Sequence, residues 1–471
     1  MIIFWSATSA ALVRWSATVF GWAASVPSAA TNSFMEKQLT FAAANHDLDN
    51  GENFSPDDHW LAFDMRVGDT AIAGNAVIAR VSLANGEMVE VYREPSPQAW
   101  GPGLGASCVD VGTGRLAFLR GLSGATAARP YAISRRTGVW VDPEKPNRLH
   151  FLDARNVIAP FTPGALRGGT HRHEWSADGE WVGFTYNDAL LAEQEARTGE
   201  RVDLRTVGVA ARRATGPLVV PPGPENVSGE MFAAVVVRVV PAPRPGSDEI
   251  SRAFEDAWVG RNGYQRADGT RQVRARAFLG NVRAPDGREF TEVFVVDLPS
   301  RLDEPGDDGP LEGTSSTMPA PPRGTVQRRL TFTADRKYPG VALEPRHWVR
   351  SSADGTRIVF LAKDDDGIVQ AFLVGPAGGA IRQVTRHASS IQSCARWSPD
   401  GGQLLYVCGG VVTICDARPD AATFGRTRAL TAPTAAAPEC PVWSHDGRTI
   451  AFNRRIPQGA STWKQIFVVT P

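Results

Sequence analysis

An all-β propeller of seven blades is the fold class that three features of this 471-residue sequence predict. A pattern, S-x-D-G-x-x-(apolar)-(small)-(aromatic), recurs at Ser55–Phe63, Ser176–Phe184, Ser352–Phe360, Ser398–Tyr406 and Ser444–Phe452, with a degenerate copy at Asp110–Phe118. Its Asp-Gly centres at 354, 400 and 446 are 46 residues apart, the period of a four-stranded propeller blade. The last unit holds three strands and closes with "KQIFVVTP", while the chain after Met35 opens with "EKQLTF", which matches the fourth-strand pattern "RQVTRH" and "RRLTFT". An N-terminal strand that completes the last blade therefore closes the ring.

The elements follow in order. Residues 1–34 are apolar and rich in Ala, Ser and Trp, with Arg14 interrupting the apolar run. A secretory leader carries its positive charge before that run, and a membrane helix is poorly matched by so many Ser, Thr and Gly residues followed by Pro27. The segment reads as an extension upstream of the structural start at Met35, with a weak leader as the alternative. Residues 35–471 read as one propeller domain. In the clearest unit, Ile391–Trp397 is a first strand, Asp400-Gly401 a tight turn with its positive-φ glycine, and Gln403–Val407 a second strand. Val411–Asp416 and Arg426–Thr431 make the third and fourth. A lone four-stranded sheet buries only part of its apolar surface, so such units pack radially around an axis.

Two stretches depart from the repeat. "PGSDEISRAFEDAWVG" places Ile250, Phe254 and Trp258 at helical spacing behind an N-cap Ser247, and predicts a helix over 247–259 inserted in the fourth unit. The Pro/Gly/Ser-rich segment 302–325 reads as a mobile loop. The weak unit around "NVRAPDGREFTEVFVVDL" uses its Asp-Gly in a different hairpin, and a count of six blades results if residues 229–330 are an elaboration instead of a blade.

Fifty basic residues balance fifty acidic ones, which removes the electrostatic argument for a nucleic-acid partner. No membrane-spanning segment is predicted, and the chain reads as a monomer. The five cysteines form no C-x-x-C pair, so neither a disulfide framework nor a cysteine zinc site is indicated. No G-x-S-x-G elbow, Walker loop or dinucleotide fingerprint is present.

The run "WSPDG…GGAIRQVT…WSPDG" resembles the WD40-like propeller repeats of the Tol-system periplasmic protein. Stretches such as "FTPGALRGGTHRHEWSADGEWVGFTYND", "PRPGSDEISRAFEDAWVG" and "PAPPRGTVQRRLTFT" resemble a bacterial family described as Tol-like biopolymer transporters. The resemblance covers Met35 to the C-terminus. It implies a propeller and a start near Met35, which makes the protein cytoplasmic; a working leader would make it periplasmic. The N-terminal α/β domain of the Tol-system protein has no counterpart.

Five positions before each motif serine, where first strands begin and ring one mouth of the channel, stand Asn50, His171, His347, Ser393 and Glu439, with Gly105 in the degenerate unit. His173 lies two residues beyond His171, on the same face if the strand alternates regularly; Gln392 and His46 sit in the corresponding loops. Clustered imidazoles with a carboxylate are a donor set for Mn²⁺ or Zn²⁺, here His171, His173 and His347. Arg167 and Arg346 fit a carboxylate or phosphate by their bidentate geometry. Oligogalacturonate lyases share the architecture and the idea of a histidine ring in the funnel, without residue-by-residue correspondence. Two functions follow. The first is a recognition module binding a protein, peptide or glycan in its funnel, with Arg167, Arg346, Gln392, Glu439 and Asn50 as contacts. The second is a metal-dependent lyase or hydrolase of acidic oligosaccharides.

Overall fold

The structure is a computed structural model that describes residues 35–48, 51–68 and 71–471. Residues 1–34 and the candidate contact Asn50 lie outside the described residues.

Seven four-stranded antiparallel sheets follow one another along the chain. Blade one is Asn45–Asp47, Trp60–Arg66, Val77–Ser82 and Met88–Arg93; blade two is Leu104–Val109, Leu116–Gly121, Arg136–Val141 and His150–Phe151. Blade three comprises Gly168–Trp175, Trp181–Asp188, Thr206–Arg212 and Met231–Val235, and blade four Ala253–Trp258, Ala275–Arg283, Glu289–Asp297 and Val326–Arg329. Blade five uses Arg350–Ser351, Ile358–Lys363, Val369–Val374 and Arg382–Gln383; blade six uses Arg396–Trp397, Gln403–Cys408, Val411–Asp416 and Thr427–Ala429. In blade seven, Glu439–Trp443, Ile450–Gln458 and Ser461–Val469 are joined by Lys37–Gln38, with Lys37 opposite Val468 and Gln38 opposite Phe467. The ring closes as the end patterns predict, and Leu39 buries beside Ile466 in the cluster shared by blades seven and one.

The core is distributed. Each pair of adjacent blades shares one apolar cluster, from Ile78, Leu104 and Phe118 between blades one and two to Leu405, Trp443 and Phe452 between six and seven. The recurrent motif explains how the blades begin. The serine hydroxyl of Ser176, Ser352, Ser398 and Ser444 donates to the aspartate two residues on, at 2.5–2.6 Å, and accepts the N–H of the residue five on. One hydroxyl thus fixes the turn and the start of the second strand, and Gly179, Gly355, Gly401 and Gly447 take the positive φ that the turn requires. In blade one Asp58 takes that conformation instead, and its carboxylate accepts the N–H groups of His445 and Asp446 from blade seven.

Residues 247–259 correct a sequence expectation. They contain no helix: Ala253–Trp258 is the inner strand of blade four, paired with Arg276–Gly280. Phe254 and Trp258 are four apart, which satisfies a strand's period of two as well as a helix's 3.6. The chain instead carries a helix at Ala189–Thr198, between the second and third strands of blade three, with Asp188 as N-cap and Gly199 as left-handed C-cap. The Asp-Gly at 286–287 forms the hairpin between the second and third strands of blade four, as expected. Segment 302–325 packs through buried Leu302, Leu311 and Ala320, and the carbonyls of Thr314 and Thr317 accept from Arg167.

Candidate functional site

The innermost strands do not alternate regularly. Ala106, Arg172, Glu255 and Cys440 occupy equivalent places in blades two, three, four and seven, all with φ between 48° and 58°, and the ladder shifts register at each. Such a bulge re-aims the side chains on either side of it. His171 and His173 flank one, and they separate accordingly.

His171 sits among arginines. Arg205, delivered by the connection that holds the helix, donates from Nη2 to His171 Nδ1 at 3.2 Å and to Thr185 Oγ1 at 2.6 Å. Arg136 from blade two donates to the Tyr131 hydroxyl at 2.7 Å. Arg252, entering blade four, lies over the Phe254 ring at 4.3 Å and makes no side-chain hydrogen bond among the described residues. Arg346, entering blade five, is 56% exposed, donates to Glu255 Oε1 at 2.8 Å and lies over Trp348 at 4.8 Å. Burial, followed by the charges of Arg136, Arg205 and Arg346, pushes His171 well below its ordinary value. Burial and Arg136 lower Arg205 to about 10. The Nε atoms of Arg136 and Arg205 are buried without a hydrogen-bond partner. Arg346 bonds Glu255, whose charge also acts on Arg205 and Arg252, so the donors left over at this mouth match the acceptor pattern of an anion. Because arginine can only donate, His171 Nδ1 accepts, and the neutral ring carries its proton on Nε2.

The other sequence candidates distribute differently. His347 is buried and donates from Nδ1 to Pro345 O at 3.0 Å while Nε2 accepts the Leu361 N–H at 3.2 Å, so it has no lone pair to offer a metal. His173 is enclosed between blades two and three, 3.8 Å from Asp153 and beside Gly138, where burial lowers it to about 3. The expected metal triad is thereby corrected: the three imidazoles do not converge, and no group of three or more His, Cys, Asp or Glu among the described residues could hold an ion. Arg167 is likewise not a mouth residue. It is fully buried, pairs with Asp188 at 2.6 Å and ties segment 302–325 to blade three. Glu439 pairs with Arg455 at 2.7 Å and Lys464 at 3.4 Å. Gln392 is exposed and accepts the Gly410 N–H. His46, buried in the first strand of blade one, bonds Lys464 O.

The sequence reading names His171 and Arg346 as candidates and does not name Arg136, Arg205 or Arg252. These stand outside the motif, and the helix signal D-A-L-L-A-E-Q-E-A-R-T-G, which positions the loop of Arg205, was the one readable clue to any of them.

A second charged layer follows along the inner strands. Glu174 of blade three bonds Arg276 of blade four at 2.6 Å and Arg350 of blade five at 2.9 Å; Arg276 also pairs with Asp256. Burial raises Glu174, but the charges of Arg276, Arg350 and Arg172 outweigh it and leave the carboxyl at about 2. A cavity of about 210 Å³ opens from this layer toward the motif turns, lined by Glu52, Glu174, Arg350 and Arg396 and by Trp175, Trp258, Trp397 and Trp443.

Comparisons with known proteins place this architecture. A family model described as protein of unknown function (DUF3748) matches residues 104–223. The uncharacterized protein YidR of Escherichia coli (strain K12) is 39% identical over 432 residues, covering 91% of this chain and 96% of that one. Among solved structures, an oligogalacturonate lyase in complex with manganese shares the fold at 10% identity and a TM-score of 0.51, over 94% of both chains. TolB from Acinetobacter baumannii is a looser match, at 13% identity and a TM-score of 0.35 over 90% of this chain and 85% of that one.

Proposed function

The chain belongs to the family of the Escherichia coli YidR protein, and from that premise we propose that its propeller binds an acidic ligand, an anionic oligosaccharide, in the arginine-lined mouth of the channel. The observation that carries this is the gathering of Arg136, Arg205 and Arg346 about His171, with Arg252 beside Arg205 and Glu255 as the neighbouring carboxylate. Arginine matches the planar carboxylate of a uronic acid with two parallel N–H donors. Trp348, half-buried beside Arg346, adds an aromatic surface at the mouth. Movement or docking of a biopolymer, the role implied by the Tol-like resemblance, is served by the same site if the ligand is one end of an acidic polymer.

A second reading is enzymatic, and the likeness of fold to an oligogalacturonate lyase over nearly the whole of both chains favours it. The histidines do not fit the metal-dependent form of that reading, since His347 spends both ring nitrogens within its own blade. What the mouth offers chemically is neutralisation of a substrate carboxylate by arginine and a proton on His171 Nε2. It offers no free imidazole lone pair to act as base, which is why binding ranks first.

The test is titration with oligogalacturonates against neutral oligosaccharides of equal length, read by tryptophan fluorescence and followed for chain cleavage. Binding confined to the acidic series, weakened about tenfold or more in Arg136→Met/Arg205→Met, is expected from the loss of charge-assisted hydrogen bonds. Equal binding of neutral and acidic sugars, or none of either, overturns the proposal. Cleavage that disappears in His171→Gln moves the enzymatic reading to first place.

A further inference from the structure

Arg172 and Arg350 belong to the second charged layer, on the inner strands of blades three and five. Arg172 is 2% exposed, donates from Nη1 to Asp256 O at 3.2 Å and lies over the Trp348 ring at 4.0 Å, but its Nε and Nη2 have no hydrogen-bond partner. Arg350 uses Nη1 on Glu174, and its Nη2 is likewise buried and unpartnered. Both free Nη2 atoms lie close to Gly51. A Cβ added to Gly51 would stand 3.1 Å from Arg350 Nη2, 3.4 Å from Arg172 Nη2 and 3.6 Å from Glu174 Oε1. The two donors are therefore no more than 6.5 Å apart, the sum of 3.1 and 3.4, close enough for one small acceptor to contact both.

An unpaired buried charge is among the most expensive features a fold can hold. Among the described residues Arg172 makes no salt bridge, although the charges of Glu174, Asp256 and Glu255 act on it at longer range. The cavity reaches this layer from the motif-turn side, with Gly51, Glu174, Arg350 and Arg396 in its wall. Burial and the charge of Arg350 lower Arg172 to about 9, against the opposing charges of Glu174, Asp256 and Glu255.

We propose that the channel beside Gly51 is a site for one small monovalent anion, a chloride or a single carboxylate group, bridging Arg172 Nη2 and Arg350 Nη2. The site shares no arginine with the mouth cluster, although Arg172 and Arg346 lie against the same Trp348 ring, and it can fail or succeed without it. Its occupant knits blade three to blade five across the channel and stabilises the native state by mass action, since the unfolded chain has no such site. A carboxylate-tipped ligand entering through the cavity would take the same two donors.

The test uses the whole chain. Melting temperatures are measured in sodium chloride, bromide, formate and gluconate at constant ionic strength, with wild type and Arg172→Met in parallel. A rise of about 2 °C or more in chloride or bromide over gluconate is expected for wild type and is absent in Arg172→Met. Crystals grown in bromide then show an anomalous peak between Arg172 and Arg350. A rise in formate but not in the halides identifies the occupant as a carboxylate. Identical melting in all four salts with no anomalous peak in the channel overturns the proposal and assigns the free donors to water. A halide effect that persists unchanged in Arg172→Met overturns it as well, by placing the ion elsewhere. Should Arg172→Met fail to fold, Arg172→Lys and the anomalous peak in wild type decide.

Discussion

Replacing Glu174 by Gln removes the charge that joins three blades while keeping the side chain's shape. The carboxyl moves from its ordinary 4.5 to about 2 on folding, burial opposing the shift and Arg276, Arg350 and Arg172 overcoming it. A depression of that size corresponds to roughly 3 kcal/mol of stability. Breaking a buried pair by removing one partner gives a similar figure, about 3–5 kcal/mol. Because the folded value is depressed, the contribution is present in full above pH 4.5 and is lost as pH falls through about 2. By pH 3 less than half of it remains on the same arithmetic. Urea unfolding of wild type and Glu174→Gln at pH 7 and pH 3 measures both quantities. The variant is expected to be less stable by about 3 kcal/mol at pH 7 and by less than half of that at pH 3. A difference below about 1 kcal/mol at pH 7, or one that does not shrink in acid, would refute the view that this carboxylate is held ionised by its arginines.

Four further outcomes are expected. Gly183→Ala places a Cβ 2.4 Å from Arg276 Cζ, so it displaces the guanidinium from Glu174 and Asp256 and lowers the unfolding midpoint about as far as Glu174→Gln does; a neutral result would contradict the close approach. Ser398→Ala frees both the Asp400 carboxylate and the Gln403 N–H and is expected to cost about 1–2 kcal/mol in denaturant titration. Leu39→Ala, early in the chain but 1% exposed against Ile466, should destabilise the whole ring by about 2–4 kcal/mol in a single transition; a small local effect would mean that the closing strand is dispensable. Treatment with a chelator is expected to leave the melting temperature unchanged, because His347 has no free lone pair and His171 is engaged by Arg205; metal recovered at near-equal molar amounts would reverse that.

Much of the fold was legible because its determinants are local. The serine-aspartate turn is made by residues within five positions of one another, and it reports the same hairpin at Ser176, Ser352, Ser398 and Ser444. The closing strand was readable from a short pattern shared by "EKQLTF" and "RQVTRH". The inner strand of blade four was misread because an apolar spacing of four fits both periods, and because the bulge at Glu255 leaves no regular alternation to choose between them. The helix at Ala189–Thr198 went unread although its cap residues and composition were in plain view.

The site was legible only in part. Counting back from the motif serine placed His171 at the start of an inner strand, since strand register is a sequence property. The same count proposed His347 and His173 as its companions, and the tertiary structure separated them, because a left-handed residue at Arg172 re-aims its neighbours and the Leu361 N–H occupies the His347 ring. Arg136, Arg205, Arg252 and Arg346 come from four blades and lie up to 210 positions apart in the chain, from 136 to 346. Nothing in their local sequence distinguishes them from arginines such as Arg167, which is consumed by Asp188. The sequence alone determined the repeat, the turn chemistry and the closure of the ring, all of which depend on neighbours along the chain. Which charges meet in the channel was decided by the radial packing of seven sheets, since electrostatic partnership depends on distance in space, and only the closed ring sets those distances.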